Sequence, residues 1–428
     1  MNLSKKLYDT YCEILREELI PAMGCTEPIA IAYAASIVRE LLGSMPERIE
    51  AGLSGNIIKN VKSVVVPATG GMHGIPTAIA AGVIAGCPEK ELEVLSVLKT
   101  DDIPKISAFL ERCKLEIKEV DTGHIFDIQL TACAGADEAK VRILDGHTNV
   151  VLIEKNGQPV WKGTSKETSE VQRKVGADRT LLSVEHIVEF AREVRLEEIE
   201  ELLDRQISCN MAIAKEGLSG TYGASVGKII YGDGNIDVRQ KARAMAAAGS
   251  DARMNGCELP VCILSGSGNQ GITASVPVIV YAEELKTGRE KMLRALVVSD
   301  LVTIHQKTGI GCLSAYCGAI SAGCGCGAGI TFLLGGGYEE IAHTVVNAVA
   351  ILSGTICDGA KSSCAAKISM AVEAGILGGD MYRHGCQFYS GEGIVTKGVE
   401  NTIQNVGRLA RVGMRDTDKE IIKMMLDE

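Results

Sequence analysis

Residues 308–338 have the sequence TGIGCLSAYCGAISAGCGCGAGITFLLGGGY, and residues 259–282 have the sequence LPVCILSGSGNQGITASVPVIVYA. Neither stretch contains Asp, Glu, Lys or Arg, although 23% of the chain is charged. Each is long enough to cross a bilayer. However, Gly, Ser, Asn, Gln and Pro interrupt both stretches, and neither has the basic and aromatic flanks of a membrane span. We therefore predict that both are buried segments that line a site in a helical domain.

The sequence on either side of these stretches predicts an α+β fold. Beyond about residue 207 the chain is Ala/Gly-rich, apolar and helical in pattern until the charged segment RDTDKEIIKMMLDE. Between 114 and 163 apolar and polar residues alternate, and Asn156-Gly157 is a hairpin signal, so we expect a small antiparallel sheet there. We predict an N-terminal mixed α/β domain over 1–200, carrying the motif GCTEP, and a mostly α-helical C-terminal domain over 201–428.

Composition excludes several classes of protein. The 428 residues are 46% hydrophobic, which is enough for a large core and argues against a disordered chain. The net charge is −10 and no basic run occurs, so we expect neither a nucleic-acid partner nor an anionic membrane. The start MNLSKKLYDTYCEILREEL has no apolar stretch typical of a signal peptide. We therefore expect a cytoplasmic protein with reduced thiols.

Cysteines are the strongest chemical signal in the chain. Of the fifteen, six lie within 53 residues of one another, at Cys312, Cys317, Cys324, Cys326, Cys357 and Cys364. Clustered thiolates are typical ligands of zinc and of iron–sulfur clusters. The spacing matches neither zinc C-x2-C pairs nor the bacterial ferredoxin run. The alternative is that these residues fill tight contacts between helices, since free Cys is a small and commonly buried side chain.

Cys25 lies in a different environment, in GCTEP, directly before a predicted buried helix. Thr26 is the expected N-cap of that helix, and Pro28 suits its first turn. A helix N-terminus favours an anion, which predicts a lowered thiol pKa and a usable base or nucleophile. The alternative is a buried cysteine at the start of a helix.

The run LSGSGNQG contains a literal G-x-G-x-x-G at Gly266, Gly268 and Gly271. A dinucleotide site needs a crossover helix and an acidic residue about 20 positions on, whereas Pro277 interrupts the expected helix and Glu283 comes early. We prefer a loop whose backbone N–H groups hold a small carboxylate.

Two further signals are weaker. His73 in GGMHGIP either meets substrate or is structural, and Lys361 and Lys367 suggest pyridoxal phosphate but lack a phosphate loop.

Several of these motifs together resemble one family. They are PAMGCTEPIAIAYAAS, SGNIIKN, VPATGGMHGIP, SGSGNQGITASVPV, AISAGCGCGAGIT and TICDGAKSSC, and they extend from about residue 10 to residue 400. In this order they resemble the L-cysteine desulfidase group, also designated UPF0597, which is related to the iron–sulfur L-serine dehydratases through their α chain.

The resemblance implies a [4Fe-4S] cluster held by three cysteines, with one iron left open. Carried over residue by residue, the ligands are Cys324, Cys357 and Cys364, and Cys326 is a rival to Cys324. The resemblance also implies that Cys25 is the base that removes the α-proton. The substrate carboxylate would then be held by the SGSGN loop and its neighbours, namely Ser265, Ser267, Asn269, Asn56 and His73.

The function implied is that of a carbon–sulfur lyase, which converts L-cysteine to pyruvate, ammonia and sulfide by β-elimination. The same chemistry on L-serine, as an L-serine dehydratase, stays open, because a thiol and a hydroxyl differ by one atom. A non-catalytic cluster or zinc protein and a pyridoxal-phosphate lyase also stay open. The expected partner is a small amino-acid substrate, and apolar C-terminal helices would fit a homodimer.

Overall fold

The computed structural model describes residues 3–162, 176–311 and 313–426. Within these residues the α-helices are α1 (Lys5–Glu18), α2 (Thr26–Leu42), α3 (Gly55–Val61), α4 (Gly74–Ala85), α5 (Ile103–Arg112), α6 (Val184–Glu193), α7 (Glu200–Ser219), α8 (Val226–Tyr231), α9 (Val238–Met254), α10 (Gly268–Glu284), α11 (Arg289–Ile310), α12 (Gly318–Leu333), α13 (Tyr338–Leu352), α14 (Cys364–Arg383), α15 (Val399–Arg408) and α16 (Arg415–Leu426). The strands are β1 (Pro21–Met23), β2 (Arg48–Leu53), β3 (Lys114–Glu119), β4 (Asp127–Ala134), β5 (Asp137–Leu144), β6 (Val150–Lys155), β7 (Gln158–Lys162) and β8 (Pro260–Cys262).

The N-terminal half contains a six-stranded sheet in the order β3-β2-β4-β5-β6-β7. Strands β4 to β7 form the predicted antiparallel meander, and Asn156 and Gly157 turn its last hairpin with φ of 50° and 73°. The sheet is larger than predicted, because β2 lies between β3 and β4 and pairs with β3 in parallel. The sequence of β2, RIEAGL, alternates in the same way, with its apolar residues buried.

Helix α2 packs on the sheet and is buried almost all round, as its apolar sequence predicts. Its other side packs on α4, and the two helix backbones approach closely at Gly82. A Cβ atom at Gly82 would lie 2.2 Å from the carbonyl oxygen of Ala32, so only glycine allows this contact. The sheet therefore holds α2, and with it the GCTEP motif, in a fixed position.

The C-terminal half is helical, as predicted, with α12 at its centre between α10, α11, α13 and α14. The glycines of AGCGCGAG let α12 cross α14 backbone to backbone. A Cβ atom at Gly323 or Gly327 would lie 2.3 or 2.5 Å from a carbonyl oxygen of α14. Helix α10 continues through Pro277 instead of ending there. In the described part of the chain, no helix is long and apolar enough to cross a membrane.

The two halves are joined by strand pairing next to their characteristic motifs. Strand β1 directly precedes Gly24-Cys25, and β8 is followed, after Ile263 and Leu264, by the SGSGN loop. The two strands pair antiparallel, with Pro21 opposite Cys262 and Met23 opposite Pro260. The pairing therefore brings the N-terminus of α2 close to the N-terminus of α10, although about 240 residues separate them in the sequence.

Candidate active site

A cavity of about 420 Å³ lies between the two halves. Volumes of a few hundred Å³ are typical of small-molecule sites. The SGSGN loop, the GCTEP motif, the β5–β6 connection and the starts of several helices all contribute to its wall. Among the polar and thiol side chains that line it are those of Glu18, Cys25, Glu27, Asn60, His147, Arg253, Ser265, Ser267, Asn269, Gln270, Lys307, Cys317, Cys357 and Cys364.

Within the described residues, four helices begin at this cavity. Cys25, Ser267 and Cys317 are the N-caps of α2, α10 and α12, and Cys364 is the first residue of α14. The first backbone N–H groups of a helix lack intrahelical partners and carry partial positive charge. Four such ends around one cavity favour an anionic occupant, such as a carboxylate or a set of thiolates.

One wall of the cavity is built around a buried carboxylate, and we call Cys25, Glu27 and Asn60 the acid–base wall. The Cys25 Sγ donates to Glu27 Oε2 at 3.1 Å, and Asn60 Nδ2 donates to Glu27 Oε1 at 3.0 Å. Thr26 Oγ1 lies 3.1 Å from Glu27 Oε2 and donates to the carbonyl of Gly266 at 2.9 Å. Thr26 thus fastens the start of α2 to the SGSGN loop, while Cys25, one residue earlier than predicted, is the N-cap.

The lowered pKa expected for Cys25 is wrong. Burial raises the pKa of the Cys25 thiol well above its ordinary value, and the negative charge of Glu27 raises it further; the positive charge of Arg253 only partly offsets this. Desolvation therefore outweighs the effect of the helix N-terminus. In the resting protein Cys25 is a neutral thiol that donates its proton to a carboxylate.

Glu27 is ionised in spite of its burial. Burial alone would raise the pKa of Glu27, but His147, the Cys25 thiol, a backbone N–H and Arg253 together lower it below its ordinary value. Burial lowers the pKa of His147, which Glu27 only partly counteracts. An edge-on contact with Phe126, with ring centroids 4.9 Å apart, fixes the His147 ring. The acid–base wall thus combines a carboxylate acceptor with a protonated thiol.

A second part of the cavity lining consists of Cys317, Cys357 and Cys364, and we call it the thiol wall. A short antiparallel bridge between Tyr316 and Ile356 holds two loops together, with Cys317 N donating to the carbonyl of Thr355 at 3.0 Å. Burial raises the pKa of Cys317 to about 12, and the charges of Cys357 and Cys364 contribute. Burial likewise raises the pKa of Cys364, again with Cys357 contributing. All three thiols line the same cavity.

Cys324, the expected first ligand, lies elsewhere. It is buried within α12, about two turns beyond Cys317, and does not line the cavity. Cys326 is also buried in α12, and its Sγ donates to the carbonyl of Gly323 at 3.1 Å. Both belong to the tightly packed crossings of α12, where a Cβ atom at Gly325 would lie 2.1 Å from Thr303 Oγ1. Cys312 lies outside the described residues.

The predicted substrate residues divide into two groups. Ser265, Ser267 and Asn269 line the cavity, whereas His73 is an exposed N-cap of α4 and Asn56 does not reach the cavity wall. Asn60, one turn after Asn56 on α3, lines the cavity in its place. The two candidate pyridoxal-phosphate lysines both pair with Asp358 Oδ1 at 2.5 Å, and neither lines the cavity.

Several buried polar atoms of the cavity lining have no hydrogen-bond partner in the described part of the chain. They are Arg253 Nε, Asn269 Oδ1, Gln270 Oε1 and His147 Nε2. Buried polar groups are normally paired, so a cluster of unpaired ones indicates a site for a polar ligand. Arg253 lies against the start of α10, where a Cβ atom at Gly268 would be 2.3 Å from its Nε. This contact explains one glycine of the SGSGN loop.

Sequence reasoning missed Glu27, Asn60, His147 and Arg253, and it counted Cys317 among the clustered cysteines without choosing it as a ligand. Glu27 belongs to GCTEP, but an acidic residue in the first turn of a helix is ordinarily only a partner of the helix dipole. Cys317 carried a usable signal, because it precedes the long glycine-rich helix as Cys25 precedes α2. We find no sequence signal for His147, which reaches the cavity from a loop of the sheet.

A search of the described residues finds no group of three or more His, Cys, Asp or Glu side chains that could hold a metal ion. The thiol wall is therefore not a compact site for one ion. A [4Fe-4S] cluster would be a different case, because its thiolate ligands would bind different iron atoms.

Comparison with known proteins gives consistent matches. Residues 89–423 match the sequence model of the serine dehydratase alpha chain. A UPF0597 protein of Desulfitobacterium hafniense is 56% identical over 428 residues, covering 100% of this chain and 99% of the relative. UPF0597 proteins of Lachnoclostridium phytofermentans and Treponema denticola are 46% and 43% identical, covering 98% and 100% of this chain and 100% of each relative.

Proposed function

Because the chain belongs to the UPF0597 group of the serine dehydratase alpha-chain family, we propose that it is an iron–sulfur-dependent lyase that degrades L-cysteine. The reaction is β-elimination of sulfide to give 2-aminoacrylate, which water then converts to pyruvate and ammonia. One observation carries the proposal: the same cavity is lined by the thiol wall, by the acid–base wall and by unpaired polar atoms suited to an amino acid.

The thiol wall fits a [4Fe-4S] cluster by its donor set. Cys317, Cys357 and Cys364 would hold the cluster, with Cys317 replacing Cys324 in the ligand set. Three thiolates leave one iron of a cubane without a protein ligand. The N-termini of α12 and α14 begin at Cys317 and Cys364 and favour the negative charge of the thiolates. When bound, the cluster would supply a Lewis acid for the departing β-substituent.

The unpaired atoms suit a zwitterionic α-amino acid. Arg253 and the N–H groups at the start of α10 are donors for a carboxylate, with Ser265 and Ser267 beside them. Asn269 Oδ1 and Gln270 Oε1 are acceptors, which an ammonium group can satisfy with its three donors. Donors and acceptors both left unpaired around one cavity favour a substrate that carries both charges.

The acid–base wall supplies the group that removes the α-proton. In the resting protein the Cys25 thiol proton points to Glu27 Oε2. We propose that this proton passes to Glu27 as Cys25 Sγ takes the α-proton. Cys25 then remains a neutral thiol, and Glu27 changes from a carboxylate to a carboxylic acid. Asn60 holds the carboxylate in place during the transfer, while Thr26 fastens the start of α2 to the SGSGN loop. A non-catalytic cluster protein would need no such pair.

L-Serine is the second candidate substrate, because the matching family model is that of the serine dehydratase alpha chain. The deciding experiment uses the full chain reconstituted anaerobically with iron and sulfide, and it compares kcat/KM for pyruvate formation from L-cysteine and L-serine. We expect turnover of both and a higher kcat/KM for L-cysteine. A higher value for L-serine would reassign the substrate. No pyruvate from either, at full iron loading, would refute the lyase proposal.

A further inference from the structure

Helix α16 packs on α3 at the back of the acid–base wall. Lys59 Nζ of α3 pairs with Asp418 Oδ1 of α16 at 2.5 Å, and the Nζ of Lys62, the C-cap of α3, donates to the carbonyl of Met425. Ile422 adds an apolar contact, since a Cβ atom at Gly55 would lie 3.1 Å from its Cδ1. These contacts join segments that are about 360 residues apart in the chain.

The Lys59–Asp418 pair is buried. Lys59 is only 2% exposed, and the side chain of Asp418 is 14% exposed. A buried ammonium group requires a partner, so loss of Asp418 would leave an uncompensated charge beneath α3. A second ion pair of α16, between Lys423 and Glu420, lies in solvent and has little influence on structure.

Helix α3 connects this pair with both walls of the cavity. Asn60, next to Lys59, donates to Glu27 Oε1. The carbonyl of Lys59 lies against Gly359, where a Cβ atom would be 2.4 Å from the oxygen and where φ is 92°. Gly359 lies in the loop between Cys357 and Cys364. One short helix thus contacts the acid–base wall, the loop of the thiol wall and α16.

We propose that Lys59 and Asp418 are positioning residues, which fix α3 so that Glu27 and the Cys357–Cys364 loop keep their relative placement. The proposal rests on the proposed function for the roles of these two groups. It does not require that function for its test, because the placement can be measured in the full chain before any iron is added. The pair acts through Asn60 and Gly359 and does not itself line the cavity.

The test is alkylation of the full-length chain with iodoacetamide, with the rate at each cysteine obtained by mass spectrometry. In Asp418→Asn we expect Cys25 and Cys364 to react about tenfold faster than in the wild type, as local loosening of α3 predicts. Cys12 and Cys262 are buried elsewhere and should keep their rates. The matched control is Glu420→Gln on the exposed face of α16, which should change none of the four rates.

Equal acceleration at all four cysteines would mean general destabilisation and would overturn the proposal, as would unchanged rates at Cys25 and Cys364. Should Asp418→Asn fail to fold, K59M/D418L decides, because apolar side chains of similar size replace the pair. Selective acceleration at Cys25 and Cys364 supports the proposal there, and any other pattern overturns it. If the wild type takes up no iron, the proposed function fails while this result stands.

Discussion

The cysteines of the two walls of the cavity differ in their neighbouring groups. On the acid–base wall, Cys25 has a hydrogen-bond acceptor, Glu27, at 3.1 Å, and that carboxylate has further donors. On the thiol wall, burial raises the pKa of Cys317 and of Cys364, the negative charge of Cys357 raises both further, and the positive charge of Lys367 partly offsets this. A thiol that donates to a carboxylate suits proton transfer, whereas several thiols that line one cavity suit a shared metal group.

The difference shows that a cysteine's neighbours, and not its position at a helix start, determine its chemistry. Cys25 and Cys317 are both N-caps of buried helices at the same cavity. Burial raises the pKa of both, and Arg253 only partly relieves Cys25. Only the presence of Glu27 on one side and of further thiols on the other separates their expected roles.

The largest effect is expected on the thiol wall. Cys317→Ala should lose the bound iron and all pyruvate formation, because it removes one proposed ligand, and Cys324→Ala is the matched control on the same glycine-rich segment. Iron per chain and turnover after reconstitution measure both. Loss of iron in Cys324→Ala with retention in Cys317→Ala would restore the ligand set expected from the sequence.

On the acid–base wall, Cys25→Ala and Glu27→Gln should keep iron and the absorption spectrum but lose turnover. General acid–base groups typically contribute about 10²- to 10⁴-fold, so kcat should fall by that factor. Because neighbours lower the pKa of Glu27, wild-type kcat should not fall until the pH drops below the ordinary carboxyl range. Wild-type turnover in either variant would remove that residue from the proton transfer.

Arg253→Met tests the proposed contact between Arg253 and the substrate carboxylate. Loss of a charged hydrogen bond of about 1.5–3 kcal/mol should raise KM for L-cysteine by about 10- to 150-fold, with a smaller change in kcat. Calorimetric binding of L-alanine, which has no leaving group, should weaken in parallel. Arg243→Met on the same helix is the control, since Arg243 pairs with Glu373 outside the cavity. Equal KM values for the two variants would contradict the carboxylate role.

The smallest functional effect is expected at a second buried carboxylate, Asp300. Unlike Glu27, it has a single hydrogen-bond donor in the part of the chain that the structure describes, Gln206 Nε2 at 2.9 Å, and burial raises its pKa from 3.8 to about 7. The folded state therefore binds the proton more tightly than the unfolded state. The stabilisation that comes from the proton on Asp300 is complete below about pH 4 and is lost as the pH rises to about 7. Above that pH the free energy of unfolding is lower by about 4 kcal/mol.

Asp300→Asn should remove this dependence. We expect a higher free energy of unfolding at pH 8, little change near pH 4 and unchanged kcat. The new amide can also donate to Gln206 Oε1, which has no partner in the described residues. Urea unfolding at the two pH values measures the effect. Equal stabilisation at both would show that ionisation of Asp300 is not its cause.

Much of the fold was predictable from local patterns. The alternation over 114–163 and the Asn156-Gly157 turn predicted the meander, and the uncharged stretches predicted the buried helices. Strand β2 was harder to predict, because six residues of weak alternation become a strand only between β3 and β4. The close crossings of the C-terminal helices depend on the spacing of their glycines. That spacing has an effect only where two helices cross, so the sequence alone does not show which helices pair.

The site was predictable where a motif carried its own geometry. Cys25, the SGSGN serines, Cys357 and Cys364 line the cavity, and each lies in a conspicuous motif. The choice between Cys317 and Cys324 depends on which one ends up inside a helix crossing, and Asn56 and Asn60 share a helix face. Tertiary packing determines which residue of each pair lines the cavity, and it also places His147 there. The homodimer stays a prediction.

The most direct test is the absorption spectrum of the anaerobically reconstituted chain, recorded before and after addition of L-cysteine. We predict a broad iron–sulfur band that changes on addition of L-cysteine in the wild type and in Cys25→Ala, because Cys25 is proposed to remove the α-proton and not to bind the substrate. A spectrum without that band at full iron and sulfide supply, or a band that L-cysteine leaves unchanged, would contradict the account.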